Sequence, residues 1–162
     1  MRKFKDILST YKKEPKNLLR QAISDNDYAF IQEFLNNSYF DINEVDENYH
    51  TILDYACMYR RISIMRLLIS KKARLGILFY KINNEKDFIT KISDLKAAGY
   101  DLNSIDKLGF APMHYASSMA FTKAVKKLID FKVKVLQTSI SGETPVKSAL
   151  KKPHVGIFIG QA

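Results

Sequence analysis

The sequence contains no tryptophan, a single cysteine (Cys57), and only four prolines and six glycines in 162 residues. One cysteine cannot form an intramolecular disulfide, which favours a reducing compartment. No apolar run approaches the roughly 18 to 20 residues that span a bilayer, and the basic N-terminus lacks the apolar core of a Sec-type signal peptide. We therefore expect a cytoplasmic location, or delivery into the cytoplasm of a host.

Residues that carry chemistry are also scarce. The three histidines, His50, His114 and His154, show no metal-ligand spacing with Cys57, and no glycine-rich phosphate loop accompanies them. Cys57 follows a small core-type residue, so we expect a buried, inert thiol. The sequence thus predicts no catalytic residues, no cofactor, no metal site and no enzyme activity.

Acidic residues are in deficit, because 17 Asp and Glu face 26 Lys and Arg, for a formal net charge of +9. A basic surface attracts acidic partners over long distances, so we expect a partner protein with an acidic surface. Lysines are scattered, and neither a basic recognition helix nor an aromatic-basic ribbon is present. We do not expect nucleic acid or a membrane as the main partner.

The chain instead contains an internal repeat. Residues 109–116 have the sequence Gly-Phe-Ala-Pro-Met-His-Tyr-Ala, and residues 142–149, which start 33 positions later, have Gly-Glu-Thr-Pro-Val-Lys-Ser-Ala. The first copy follows Asp106, and a similar segment follows Asp46, which lies two units upstream. A fixed period of this size is typical of a stacked repeat protein.

These motifs resemble the ankyrin repeat, which is a β-turn followed by two antiparallel helices with the signature Thr-Pro-Leu-His-x-Ala. The resemblance implies an all-α solenoid of about five partial or complete helix-turn-helix units with short β-turn tips, the third unit being degenerate. Pro112 and Pro145 fall where proline suits a first helical turn. His114 matches the signature His, which in the family ties neighbouring turns together, whereas Asp54 and Lys147 replace it in other units.

No unit could bury its apolar face alone, so we expect a single ankyrin-repeat domain over residues 1–162. For the N-terminal segment, the alternative to a capping helix is a basic amphipathic helix that lies on a membrane or binds a partner. For the C-terminal segment, the alternative to a cap is a tail that docks into a partner or a second copy of the chain. The predicted parts are an N-terminal capping helix (1–15), repeat 1 (16–43), repeat 2 (44–74), degenerate repeat 3 (75–103), repeat 4 (104–136), and partial repeat 5 with a C-terminal cap (137–162).

The third unit is about six residues short and has no equivalent of the signature. We expect a compressed first helix near residues 76–82, a polar loop at residues 83–86, and a second helix from Asp87 to Ala98. Asp87 is the expected N-cap and Gly99 the expected C′ residue.

In the ankyrin fold, the turn tips and the inner faces of the first helices line a concave groove that binds other proteins. Tyrosine and methionine suit such a surface, because an aromatic ring offers a large contact area and methionine adapts its shape. The alternative for Tyr55 and Tyr115 is packing against an adjacent helix. The predicted protein-binding residues are Tyr49, Tyr55, Met58, Tyr59, Leu108, Phe110, Tyr115, Ser118, Met119 and Lys151.

The resemblance therefore implies a non-catalytic protein-protein interaction module, such as a bacterial or viral ankyrin effector or inhibitor. Two alternatives stay open. One is a basic-surface binder of nucleic acid or of an anionic membrane, and the other is a toxin-neutralising immunity protein.

Overall fold

The structure, a computed structural model, describes residues 15–150 and is all-α over that range. The predicted capping helix up to residue 14, the predicted binding residue Lys151 and the predicted C-terminal cap from residue 151 onward lie outside the described residues. The elements are α1 (Pro15–Ser24), α2 (Tyr28–Asn37), α3 (Ile52–Met58), α4 (Ile62–Ser70), a 3-10 turn (Phe79–Lys81), α5 (Glu85–Ala97), α6 (Pro112–Ser118), α7 (Thr122–Asp130) and α8 (Pro145–Leu150).

The helices pack in two rows. In the first row, α1 contacts α3, and α6 contacts both the 3-10 turn and α8. In the second row, α2 contacts α4, α4 contacts α5, and α5 contacts α7. Between the rows lies a core in which Phe34, Leu68, Phe88 and Leu128 are at most 1% exposed. Full burial of such side chains contributes about 1.5–3 kcal/mol each, so the apolar contacts between successive helices hold the rows together.

The connections into α3, α6 and α8 share one hydrogen-bonding scheme. The side-chain oxygen of the first residue, which is Asp46, Asp106 or Ser139, accepts the N–H groups two and four residues later. Its own N–H donates to the carbonyl oxygen four residues later, at 2.9, 2.9 and 2.7 Å respectively. These three turns, called the tips below, share one local structure, although only residues 106–109 have the sequence Asp-x-x-Gly, since Tyr49 replaces the glycine in the first turn and Ser139 replaces the aspartate in the last.

Two asparagine side chains each connect the segment before a tip to the connection that follows the next pair of helices. The Oδ1 atom of Asn43 accepts the N–H of Arg74 at 2.7 Å, and that of Asn103 accepts the N–H of Lys134 at 2.8 Å. Both bonds span 31 residues, so they satisfy backbone groups just beyond the ends of α4 and α7. The same contact therefore recurs at equivalent positions two units apart, as the repeat predicts.

The missing residues of the third unit fall in its tip. The connections before α3, α6 and α8 cover residues 38–51, 98–111 and 131–144 and are equal in length, whereas only residues 71–78 separate α4 from the 3-10 turn. The expected first helix at residues 76–82 shrinks to the three-residue 3-10 turn Phe79–Lys81. The chain thus passes directly from α4 to the core without forming a tip.

The predicted start of the second helix in this unit was wrong by two residues. Helix α5 begins at Glu85, because the Asn84 side chain accepts the N–H of Asp87 at 3.0 Å and so acts as the N-cap. Asp87 instead lies in the first turn and pairs with Lys91 at 3.3 Å. Gly99 takes the expected position after the C-cap, with a left-handed φ of +87°.

Glu85 also caps a neighbouring helix. Its Oε1 atom accepts the N–H groups of Lys123 and Ala124 at 2.7 and 3.2 Å, in the first turn of α7, whose own N-cap Phe121 provides no side-chain hydrogen bond. We expect Glu85→Ala to lower the free energy of unfolding by about 1–2 kcal/mol, measured by urea titration.

The matched control for Glu85→Ala is Lys86→Ala, at an exposed position in the same helical turn that caps no other helix. Its effect should stay within about 0.5 kcal/mol. Equal losses in the two variants would contradict a capping role for Glu85.

Candidate functional site

The short third unit leaves an open groove between the tip before α3, in the second unit, and the tip before α6, in the fourth unit. Below, each tip takes the number of its unit, so the tip before α8 is the fifth. The groove has a volume of about 520 Å³, and Tyr49 from one tip and Leu108 from the other contribute to its lining. Ile77 and Tyr80, from the shortened segment, form part of its floor. We call this groove the tip gap, and its lining residues are Glu47, Asn48, Tyr49, Ile77, Tyr80, Lys81 and Leu108.

The floor of the tip gap is fixed by a buried carboxylate. Asp54 is fully buried and accepts the N–H groups of Gly76 and Ile77 at 2.8 and 3.0 Å, while His50 Nδ1 donates to its Oδ2 atom at 3.0 Å. A Cβ on Gly76 would come within 2.8 Å of Asp54 Oδ2 and of the Tyr49 carbonyl oxygen. Only glycine therefore lets the shortened segment approach this closely.

His114 occupies the equivalent position in the fourth unit and makes a similar connection with opposite polarity. Its Nδ1 atom accepts the N–H of Ala111 at 3.2 Å, which places the ring proton on Nε2. Nε2 then donates to the carbonyl oxygen of Glu143, in the next tip, at 2.8 Å. The bond between neighbouring turns that the resemblance implies for His114 is present. At the equivalent position, Asp54 also bonds to the next segment, but it accepts backbone N–H groups where His114 donates to a carbonyl oxygen.

Two of the predicted binding tyrosines are interior residues. The Tyr115 hydroxyl donates to Asp106 Oδ2 at 2.6 Å, and the Tyr55 hydroxyl donates to Asp46 Oδ2. Tyr115 is 1% exposed and Tyr55 is 7% exposed. Both side chains are therefore enclosed beneath the tips.

The equivalent aspartates of these pairs differ in their electrostatics. Burial raises the pKa of Asp106 to about 6, against the lowering effect of hydrogen bonds from Tyr115 and the Phe110 and Leu108 amides. At Asp46, burial also raises the pKa, but hydrogen bonds from Tyr55 and from two backbone amides outweigh it and hold the pKa below its usual value. Burial and the bond to Asp46 raise the pKa of Tyr55 to about 12.

The other predicted binding residues divide into exposed and enclosed positions. Met58 and Tyr59 are 46% and 42% exposed at the end of α3, and Leu108 is 39% exposed at the fourth tip. Phe110 and Met119 are half-buried, and Ser118 is fully buried. The available surface is therefore smaller than the sequence predicts, and it lies around the third unit.

Tyr49 has an unusual backbone conformation for an exposed tyrosine. Its φ is +63°, in the left-handed region, where the fourth and fifth tips have Gly109 and Gly142. A side chain other than glycine costs free energy there, and this ring is 67% exposed, so burial does not offset the cost. Other non-glycine residues of the described chain also have positive φ, namely Asn26, Arg60, Lys72, Ala120 and Lys132. Tyr49 therefore differs from Gly109 and Gly142 mainly in the large exposed side chain that it adds at its tip.

A smaller pocket adjoins the tip gap. It has a volume of about 280 Å³, and Lys81 lines both cavities. Lys91, which is largely buried, forms part of its wall together with its ion-pair partner Asp87. We call it the side pocket, and its lining residues are His50, Met58, Leu78, Lys81, Ile82, Asp87 and Lys91.

The sequence did not identify Ile77, Tyr80 and Lys81 as site residues. They lie in the unit without a recognisable signature, so no family position could be assigned to them. The signal that could have found them is the six-residue shortfall, since removing a tip from a row of tips must leave a groove between its neighbours.

Two observations describe the cysteine and the potential metal ligands of the described residues. Cys57 is completely buried, and burial raises its thiol pKa well above the usual value, which disfavours the nucleophilic thiolate. Between residues 15 and 150, the structure brings no three His, Cys, Asp or Glu side chains together as a potential metal site. Over the same range, every helix is too short or too polar to span a membrane.

No protein-family model matches the chain. A segment of 77 residues, which is 47% of the chain, is 35% identical to the Neurogenic locus Notch protein of Drosophila melanogaster. That alignment covers 3% of the Notch protein, so the chain corresponds to a small part of a much longer relative.

Proposed function

We propose that the chain is an ankyrin-repeat protein that binds a partner protein, without catalysis, through the tip gap and the exposed residues beside it. The observation that carries this proposal is the open groove between two tips, lined in part by the exposed Tyr49 and by Leu108. Aromatic side chains around a concave apolar floor are typical of the energetic centre of protein interfaces.

Three further observations support the ankyrin assignment. The tips repeat one hydrogen-bonding scheme, His114 bonds to the next tip, and successive helices pack in two rows. The similar segment belongs to Notch, a protein that contains ankyrin repeats. A fold alone does not determine what a protein binds.

Site-specific photo-crosslinking tests the binding surface directly. The photoreactive residue p-benzoylphenylalanine is placed at position 49, 59 or 39 of the full chain, and adducts from an extract of the source cells are identified by mass spectrometry. Tyr39 is a matched control, because it is fully exposed but follows α2, away from the tip gap. We expect one protein to crosslink at positions 49 and 59 and not at position 39.

With the crosslinked partner in hand, Tyr49→Gly separates binding from folding. Glycine relaxes the left-handed turn, so the melting temperature should not fall, whereas loss of the ring should weaken binding by about 2 kcal/mol, or roughly 30-fold. Equal crosslinking at all three positions, or recovery only of nucleic acid in a salt-sensitive complex, would count against the proposal.

A further inference from the structure

We infer that the tip gap and the side pocket together bind an extended acidic segment of the partner, with a large apolar side chain in the tip gap and a carboxylate at Lys81. This inference rests on the proposed function and specifies the chemistry of the segment that is recognised. It follows from the apolar floor, the position of an unpaired cation, and the rigidity of the shortened unit.

The tip gap suits an apolar anchor. Ile77 and Tyr80 provide an apolar floor, and the rings and methyl groups of Tyr49 and Leu108 contribute to the rest of the lining. Its volume of about 520 Å³ lies within the roughly 300–1,000 Å³ typical of ligand pockets, so a leucine or phenylalanine side chain and its flanking backbone fit.

Lys81 is the free cation of the two cavities. It is exposed and forms no ion pair with any residue in the range 15–150. By contrast, Lys91 is paired with Asp87 at 3.3 Å, and the Lys107 ammonium, beside the gap, donates to the Asn43 carbonyl oxygen at 2.6 Å. A carboxylate from the partner would therefore be attracted most strongly to Lys81, whose charge is not offset by an ion pair within the chain.

The charges also orient the bound segment. In the tip gap the charge of Glu47 offsets that of Lys81, whereas in the side pocket Asp87 is already paired with Lys91, which leaves Lys81 without an opposing carboxylate. The carboxylate therefore belongs at the junction with the side pocket, and the apolar anchor belongs in the tip gap. The net charge of +9 attracts an acidic segment at long range.

The floor is held in place before any partner binds. The Gly76 and Ile77 amides donate to Asp54 on one side, and on the other side the Lys107 N–H donates to the Leu75 carbonyl oxygen at 3.0 Å. A rigid receptor loses little conformational entropy on binding, which favours recognition of a short segment.

Short synthetic peptides test this inference on the full chain. A fluorescent pool carries one Phe or Leu and a Glu pair at varied spacing, and two matched pools replace the Glu pair by Lys or the apolar residue by Ser. We expect the Glu pool to contain binders by fluorescence anisotropy, with affinity that falls as salt is raised, and the two matched pools to bind at least about tenfold more weakly.

Charge reversal then assigns the contact to one residue. Lys81→Glu should weaken the best Glu peptide about tenfold or more and improve binding of its Lys counterpart, while neutral Lys81→Met should have an intermediate effect. Lys86→Glu is the matched control, because Lys86 is an exposed lysine nearby that lines neither cavity. Unchanged melting temperatures show that the variants fold.

The outcomes distinguish the two levels of inference. Equal binding of the Glu and Lys pools, or equal effects of Lys81→Glu and Lys86→Glu, overturns recognition of a carboxylate at Lys81. If no peptide binds while position 49 still crosslinks to a protein, the acidic-segment inference fails and the proposed function stands. If crosslinking also fails at positions 49 and 59, both fail.

Discussion

Replacing Asp54 by alanine should lower the free energy of unfolding by about 3–5 kcal/mol, the largest effect we expect from a single substitution in this chain. The carboxylate is completely buried and accepts three hydrogen bonds, from Gly76, Ile77 and His50. Its removal leaves two amide groups and an imidazole without that acceptor in the interior. Urea titration followed by far-UV circular dichroism measures the loss.

Asp54→Asn should be milder, because an amide oxygen keeps part of the acceptor capacity, and we expect a loss of about 1–3 kcal/mol. The matched control is Lys147→Ala, which changes the equivalent position of the last unit, where the side chain is exposed. Its effect should stay within about 0.5 kcal/mol. An Asp54→Ala protein as stable as this control would show that the carboxylate does not hold the shortened unit in place.

Removing the carboxyl group of Asp106 should abolish a large part of the pH dependence of stability. The pKa of Asp106 is raised from 3.8 to about 6 in the folded state, chiefly by burial. A raised pKa means that the folded state binds the proton more tightly than the unfolded state does. This group therefore contributes stability that is fully present below about pH 4 and is lost as the pH rises through about 6.

The size of this contribution follows from the two pKa values. At about 1.4 kcal/mol for each pH unit between them, ionisation of Asp106 costs about 3 kcal/mol by pH 7. In Asp106→Asn, the side-chain oxygen still accepts the Leu108 and Phe110 amides but the group carries no charge. We expect the variant to gain stability relative to the original chain as the pH is raised from about 4 to 7, in urea titrations at matched pH values.

Asp46→Asn is the matched control, because Asp46 holds the same position in the second unit but has a lowered pKa. Its ionised form contributes stability that is present above the unfolded pKa and is lost as the pH falls through the folded pKa. The stability difference for Asp46→Asn should therefore change mainly at acidic pH and in the opposite sense. Parallel pH profiles for the two variants would contradict the different environments of the two carboxylates.

Local sequence rules predicted the repeated parts of the fold well. Pro112 and Pro145 begin helices as expected, since the fixed φ and missing N–H of proline suit the first turn. The Asp-x-x-Gly motif at residues 106–109 also specified its tip, because the carboxylate bonds within four residues. Such features depend on near neighbours, so sequence alone determines them.

The candidate site was harder to predict, because it depends on contacts between units. Tyr115 was assigned to the groove, yet its hydroxyl reaches back nine residues to Asp106 and draws the ring into the interior. The same spacing joins Tyr55 to Asp46, so a recurring Asp and Tyr nine positions apart was a usable signal. Lys81 had no recognisable signal in the sequence, since it lies in the shortened unit that lacks the repeat signature.

The missing tip also affects how the proposed repeat array holds together. In a regular array each unit touches only its neighbours, so stability is a sum of local interfaces and the ends can unravel independently. Here the Lys107 ammonium, on the fourth tip, reaches past the shortened unit to the carbonyl oxygen of Asn43, 64 residues away in sequence. Asn43 ends the predicted first repeat, so this bond connects two units that are not neighbours, and we expect these units to unfold together more than contacts between neighbours alone would allow.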